Sequence, residues 1–179
     1  MEVYDSLNDS LTEFVRSQSM FFVASAAAEG RVNLSPKGGD TLRVLGPNRV
    51  AYVDLTGSGN ETAAHVAQNG RLTIMLCSFG KAPRILRLYG TATVVSPSTP
   101  DWSRLLPSFP QIPGARQIIS LEFDRVQTSC GYAVPQYELV GERQTLVKWA
   151  LNKGQQGLVD FRRKWNRASI DGLPAPPLE

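Results

Sequence analysis

One histidine, two cysteines and no apolar run of membrane length occur in these 179 residues, and each scarcity removes a class of chemistry. The single histidine, His65, has no HExxH pattern or carboxylate cluster around it, so a protein-ligated metal is not expected. Cys77 and Cys130 lie far apart with neither a CxxC nor a Cys/His pairing, which argues against a zinc site and a disulfide framework; both are expected to be reduced. Apolar stretches fall short of the ~20 residues that a spanning helix needs. The opening residues, MEVYDSLNDSLTEFVRSQ, carry acid where a signal peptide carries positive charge, and a cytoplasmic location follows as the expectation. Charge of one sign is also scarce: 19 Lys and Arg stand against 16 Asp and Glu, and the longest basic run is Arg162, Arg163 and Lys164. That excess is too small to point to nucleic acid. Neither a Ser/His/Asp nor a Cys/His arrangement nor a paired carboxylate is legible along the chain.

What is present is the balance of a folded protein, with 42% hydrophobic and 20% charged residues in a length that suits one domain spanning residues 1–179. Ser10 followed by Glu13 has capping-box spacing, and Leu7, Leu11, Phe14 and Val15 supply the apolar positions of a first helix. Short β-type runs then follow at 21–25, 31–35, 41–45, 50–54, 71–78, 85–96 and 117–129, separated by AAEG, SPKGGD, GPN and FGKAP. Mixed alternation and fully apolar stretches predict a mainly β fold, an antiparallel sheet closed or nearly closed on a packed interior, with flanking helices. SPSTPDWSRLLPSFPQIPG predicts an irregular excursion with a short helix near Trp102–Leu106, as a surface loop, a lid or a dimer contact. Leu146, Trp149, Ala150, Leu158, Phe161 and Trp165 predict two consecutive C-terminal helices within about 141–166, broken at Gly154 and Gly157 and packed on the barrel. The tail PAPPLE reads as extended or disordered.

The stretch YVDLTGSGNETAAHV, from Tyr52 to Val66, carries the most chemistry. A strand runs into a glycine-flanked polar loop and straight on into a short helix. Asn60 has N-cap chemistry, Gly57 and Gly59 permit a tight turn, and Thr62 with the first helix amides can donate to an anion. Gly70 supplies the stop. An ordinary strand-to-helix turn uses the same residues. His65, one turn beyond Thr62, reads as a surface or interface side chain.

Taken together, FFVAS, GRVNLSPKGG, LRVLGPNRVAYVDLTGSGNET, NGRLTIMLCSF, PRILRLYGTATVV, CGYAVPQYELVGER and SIDGLPAP resemble the pyridoxamine 5'-phosphate oxidase-like flavoproteins. The resemblance implies an FMN-binding split β-barrel of Greek-key antiparallel strands, and a homodimer whose two FMN sites are each built from both subunits. It sets Tyr52, Val53 and Asp54 beside the isoalloxazine ring and Asn60, Glu61 and Thr62 at the phosphate. Where the oxidases themselves carry Ser-Arg-Lys, this chain has Asn-Glu-Thr, so compensating cations are expected from Lys37 and from Arg43 or Arg84. The glutamine those enzymes place near Ile85 is missing. Ser35 is expected at the ring edge or a substrate, unless it caps its own turn. Tyr132 and Pro135 are expected at the flavin face or in ordinary packing.

The Arg-Leu-His-Pro ending of true pyridoxamine phosphate oxidases is replaced here by NRASIDGLPAPPLE, so efficient vitamin B6 oxidation is not expected. The resemblance implies an FMN-dependent oxidoreductase acting on another small molecule, with no side chain required as acid or base. Two alternatives stay open: a flavin- or haem-binding module without turnover, and a deazaflavin-dependent reductase.

Overall fold

The computed structural model describes residues 1–178. Its centre is one eight-stranded antiparallel sheet ordered β3-β2-β6-β7-β8-β5-β4, with the short β1 also paired to β8. The strands are β1 (Glu2–Tyr4), β2 (Phe21–Ser25), β3 (Asn33–Lys37), β4 (Leu42–Gly46), β5 (Arg49–Leu55), β6 (Arg71–Cys77), β7 (Ile85–Val95) and β8 (Ala115–Ser129). Helices α1 (Asp9–Arg16), α2 (Glu61–Asn69), α3 (Pro100–Leu105) and α4 (Thr145–Trp165) flank them. No helix among the described residues is long and apolar enough to cross a membrane.

Alternation drives the packing. Ile74 and Leu76 of β6, Leu86 and Leu88 of β7, and Ile119 and Leu121 of β8 point to one face, where Val50 and Tyr52 of β5 and Leu7, Leu11 and Val15 around α1 complete a single cluster. On the opposite face Ala51, Val53, Val95 and Ile118 are covered by Leu105 and Phe109. The Trp102–Phe109 segment therefore packs on its own sheet: Phe109 is buried and Trp102 partly so.

β3 and β4 are the two unpaired edges, and the sheet curls until they approach, forming a barrel split between them. Side chains close the gap where the backbone does not. Lys37, at the end of β3, reaches Asp54 on β5 at 2.8 Å, and the Phe21 and Tyr52 rings meet edge to face at 5.5 Å.

Several sequence expectations shift in detail. The cap of α1 is Asn8, whose side chain accepts from the Leu11 amide at 2.9 Å, so Ser10 lies inside the helix. β3 begins two residues later than expected. Gly70 does end α2 in a left-handed conformation, at φ 71°. In α4 the break is at Gly154 alone (φ 64°, ψ 174°). Of the apolar stripe of α4, Ala150 and Leu158 are buried, Trp149 and Phe161 half-buried, and Leu146 and Trp165 exposed, so it is core only in part.

Candidate functional site

β3, β5, β8 and the start of α2 meet at the split, and their polar side chains form two linked clusters. The first surrounds Asp54, which is 3% exposed. Its Oδ1 accepts from Lys37 Nζ, and its Oδ2 accepts from Arg116 Nε and Gln117 Nε2, each at 2.8 Å. Burial pushes the carboxyl upward, but the Lys37 and Arg116 charges outweigh it and hold Asp54 well below the usual carboxylate range. Gln117 also donates to Asn60 Oδ1 at 2.8 Å, and Arg116 to Asn166 Oδ1 at 2.8 Å. Asn166 closes the ring by donating to the Gly57 carbonyl at 3.0 Å.

Asn60 sits at the N-cap position but does not cap. Its amide donates to the Asn166 carbonyl at 3.1 Å instead, so the loop is fixed to the C-terminal segment. The N–H groups of Glu61, Thr62 and Ala63 consequently begin α2 with no intrahelical acceptor and no side-chain cap.

The second cluster lies between β2, β3 and α2. Asn33 Nδ2 donates to Thr62 Oγ1 at 3.1 Å and to Ser25 Oγ at 3.2 Å, while Asn33 Oδ1 accepts from Ser35 Oγ at 2.9 Å. Ser25 Oγ in turn meets His65 Nδ1 at 3.1 Å. His65 is 1% exposed, which corrects its reading as a surface side chain. Among the described residues, the Tyr52 hydroxyl, fully buried beside Thr62 and Asp54, makes no hydrogen bond, nor does Gln117 Oε1. Burial, with the Asp54 charge adding to it, raises the Tyr52 phenol well above its ordinary value.

Of the residues singled out in the sequence, Ser35, Lys37, Tyr52, Asp54, Asn60 and Thr62 come together here. Glu61 lies at the same helix start, but its carboxylate turns away to accept from the Ile170 amide at 3.0 Å. Val53 points to the opposite face of the sheet, into the cluster under Phe109, and only its backbone borders the site. Arg43 is bound to the Asp40 carboxylate and the Ser108 carbonyl, over the Phe109 ring. Arg84 lies over the Phe14 ring at 5.5 Å, at the other end of the barrel. Tyr132 is 82% exposed beyond the end of β8.

Asn33, Arg116, Gln117 and Asn166 were not anticipated. Arg116-Gln117 did carry a signal: two polar residues stand directly before the apolar Ile118-Ile119 pair, and period two puts Gln117 on the inner face with Ile119 and Leu121. Asn166 carried none, because its role depends on a loop of distant sequence folding back.

As a set, the open helix amides, the Thr62 hydroxyl and Lys37 are donors, the chemistry that holds a phosphate or another anion. Residues 7–130 match the pyridoxamine 5'-phosphate oxidase family. The chain is 38% identical to the pyridoxamine 5'-phosphate oxidase family protein ustO of Aspergillus flavus over 191 residues, 96% of this chain and 76% of that protein. Among solved structures, it resembles a candidate pyridoxamine 5'-phosphate oxidase of Lactobacillus delbrueckii (18% identity, 71% of this chain and 99% of that one, TM-score 0.57). It also resembles HupZ of Group A Streptococcus (16% identity, 69% and 94%, TM-score 0.55). Those two likenesses concern the fold; the sequence match and the close relative show that the chain belongs to the pyridoxamine 5'-phosphate oxidase family.

Proposed function

We propose that the chain binds FMN at the split of the barrel, with the phosphate at the start of α2, and works as a homodimeric FMN-dependent oxidoreductase on a small molecule other than a vitamin B6 phosphate. The observation that carries this reading is the convergence of donors at one uncapped helix start: the amides of 61–63, Thr62 Oγ1 fixed by Asn33, and Lys37 from β3. This donor set fits a phosphate by helix amides and hydroxyls rather than by an Arg-Lys pair.

Bound FMN would supply the electron or hydride transfer, and the protein would supply position and protection from water. Lys37 and Arg116 keep Asp54 ionised, so that carboxylate orients its neighbours and is not a proton donor near neutral pH. Gln117 ties Asp54 to Asn60 and so fixes the loop that sets the direction of α2.

Arg84 and the CGYAVP segment also belong to the expected flavin surroundings, yet they lie at the far end of β8 from Gln117, roughly 40 Å along an extended strand. One flavin meeting both ends requires two chains, which supports a site shared across a homodimer. A binding module without turnover stays the second reading, favoured by the locked state of Asp54.

The absorbance spectrum of the purified protein, followed by heat release and mass identification of any chromophore, tests the proposal. A two-banded flavin spectrum with FMN released is expected; a colourless protein that takes up no added FMN overturns it. Thr62→Val is expected to weaken FMN binding by ~1–3 kcal/mol in a fluorescence titration.

A further inference from the structure

His65 is the chain's one histidine, is buried, and has no part in the chemistry described so far. The geometry points to a positioning role: His65 accepts a hydrogen bond from the Ser25 hydroxyl and thereby sets the direction of the hydrogen bonds that leave the Thr62 hydroxyl able to donate to an anion. The functional half of this inference rests on the phosphate site proposed above; the proton order itself does not.

Counting donors fixes the order. The Asn33 amide has two N–H groups, and Ser25 Oγ and Thr62 Oγ1 stand at 3.2 and 3.1 Å to receive them. Its oxygen receives the Ser35 hydroxyl at 2.9 Å. Turning the amide over would leave one N–H without an acceptor, because only Ser35 lies on the other side. An orphan N–H costs ~1–3 kcal/mol where fully buried and less at the half-buried Asn33, and an underfilled oxygen costs less again.

Given that orientation, Ser25 accepts from Asn33 and its own hydrogen goes to the remaining neighbour, His65 Nδ1 at 3.1 Å. Nδ1 is therefore an acceptor, and the neutral ring carries its proton on Nε2. At the other end of the chain of bonds, Thr62 accepts from Asn33 and keeps its hydrogen, to give to an anion at the helix start or, without one, to the buried Tyr52 hydroxyl beside it. The reverse order would start from an N–H on Nδ1, turn the Asn33 oxygen toward Thr62, consume the Thr62 hydrogen, and face lone pairs to the place where a phosphate would sit.

The test uses the full-length protein at pH 8, where an ordinary imidazole is neutral. A long-range proton–nitrogen NMR spectrum reads the single ring without assignment. A protonated Nε2 with an acceptor Nδ1 is expected, and a protonated Nδ1 overturns the inference. FMN titrations of His65→Asn, which keeps an acceptor near the Nδ1 position, and His65→Leu, which keeps bulk alone, read the coupling. Leu is expected to weaken binding roughly tenfold and Asn to restore it to within about threefold, a pattern that a purely space-filling role would not give. Wild-type affinity in His65→Leu overturns the coupling. The expected tautomer in a protein that takes up no FMN upholds the proton order and overturns the cofactor reading alone.

Discussion

At the scale of single residues, Asp54 is a buried carboxylate that accepts from three side chains, two of them cations. A carboxylate 3% exposed lies between a lysine and an arginine that is itself only 4% exposed. Asp54→Asn leaves both cations without a counter-charge, and a loss of ~3–5 kcal/mol in urea-unfolding free energy at pH 7 is expected. The pH dependence has a definite sign. Because the folded-state pKa is depressed, the stabilisation is complete above the unfolded value of about 3.9 and fades as pH falls through the lower folded value. The wild type should thus show no loss from this group between pH 7 and 5 and a growing loss below pH 4 or so, and the Asn variant should lack that acid component. Asp54 was visible in the sequence as a strand-end residue. Its partners were visible only in part, since a cation 17 positions upstream and another 62 downstream meet it through the curl of the sheet.

At the scale of elements, β7 and β8 show how one missing side chain permits a local geometry. Tyr89 pairs with Arg125 and Gly90 with Phe123, so Asp124 is an extra residue on β8, and the pattern of inward side chains steps from Phe123 to Val126 without leaving the core. A Cβ on Gly90 would stand 2.0 Å from the Glu122 carbonyl oxygen and 2.5 Å from Phe123 Cα, both backbone atoms with nowhere to retreat. Gly90→Ala is expected to cost at least ~2–3 kcal/mol, seen as a lowered denaturation midpoint. A contrast within α4 tests its docking: Leu158, 5% exposed, should cost ~2–5 kcal/mol when cut to Ala, and Leu151, 62% exposed, should stay within ~0.5 kcal/mol. Long strands with clean alternation were legible because burial on one face imposes the period. The bounds of β3 were not, since pairing decides them: Phe21 opposite Lys37 and Ser25 opposite Asn33 draw Pro36 into a strand, which the free edge tolerates. β1 was missed because three residues carry no period; it forms only because β8 is long enough to offer a second partner beyond β5.

At the scale of the whole molecule, β8 acts as a ruler between two sets of residues that the family resemblance assigns to one ligand. Asp54, Lys37 and the start of α2 stand at one end; Arg84, beside Gly131, and the exposed Tyr132 stand at the other. If each flavin takes the α2 end from one chain and the Arg84 end from its partner, defects at the two ends must complement in trans. Thr62→Val and Arg84→Ala homodimers should each bind FMN weakly. Unfolded together, refolded as a mixture and titrated, they should form mixed dimers in which one site carries both defects and the other carries neither. Random mixing then predicts a high-affinity phase in roughly a quarter of all sites. Sites contained within one chain would give every site a single defect and no such phase, and a wild-type protein that sediments as a 19.6 kDa monomer would remove the shared site altogether.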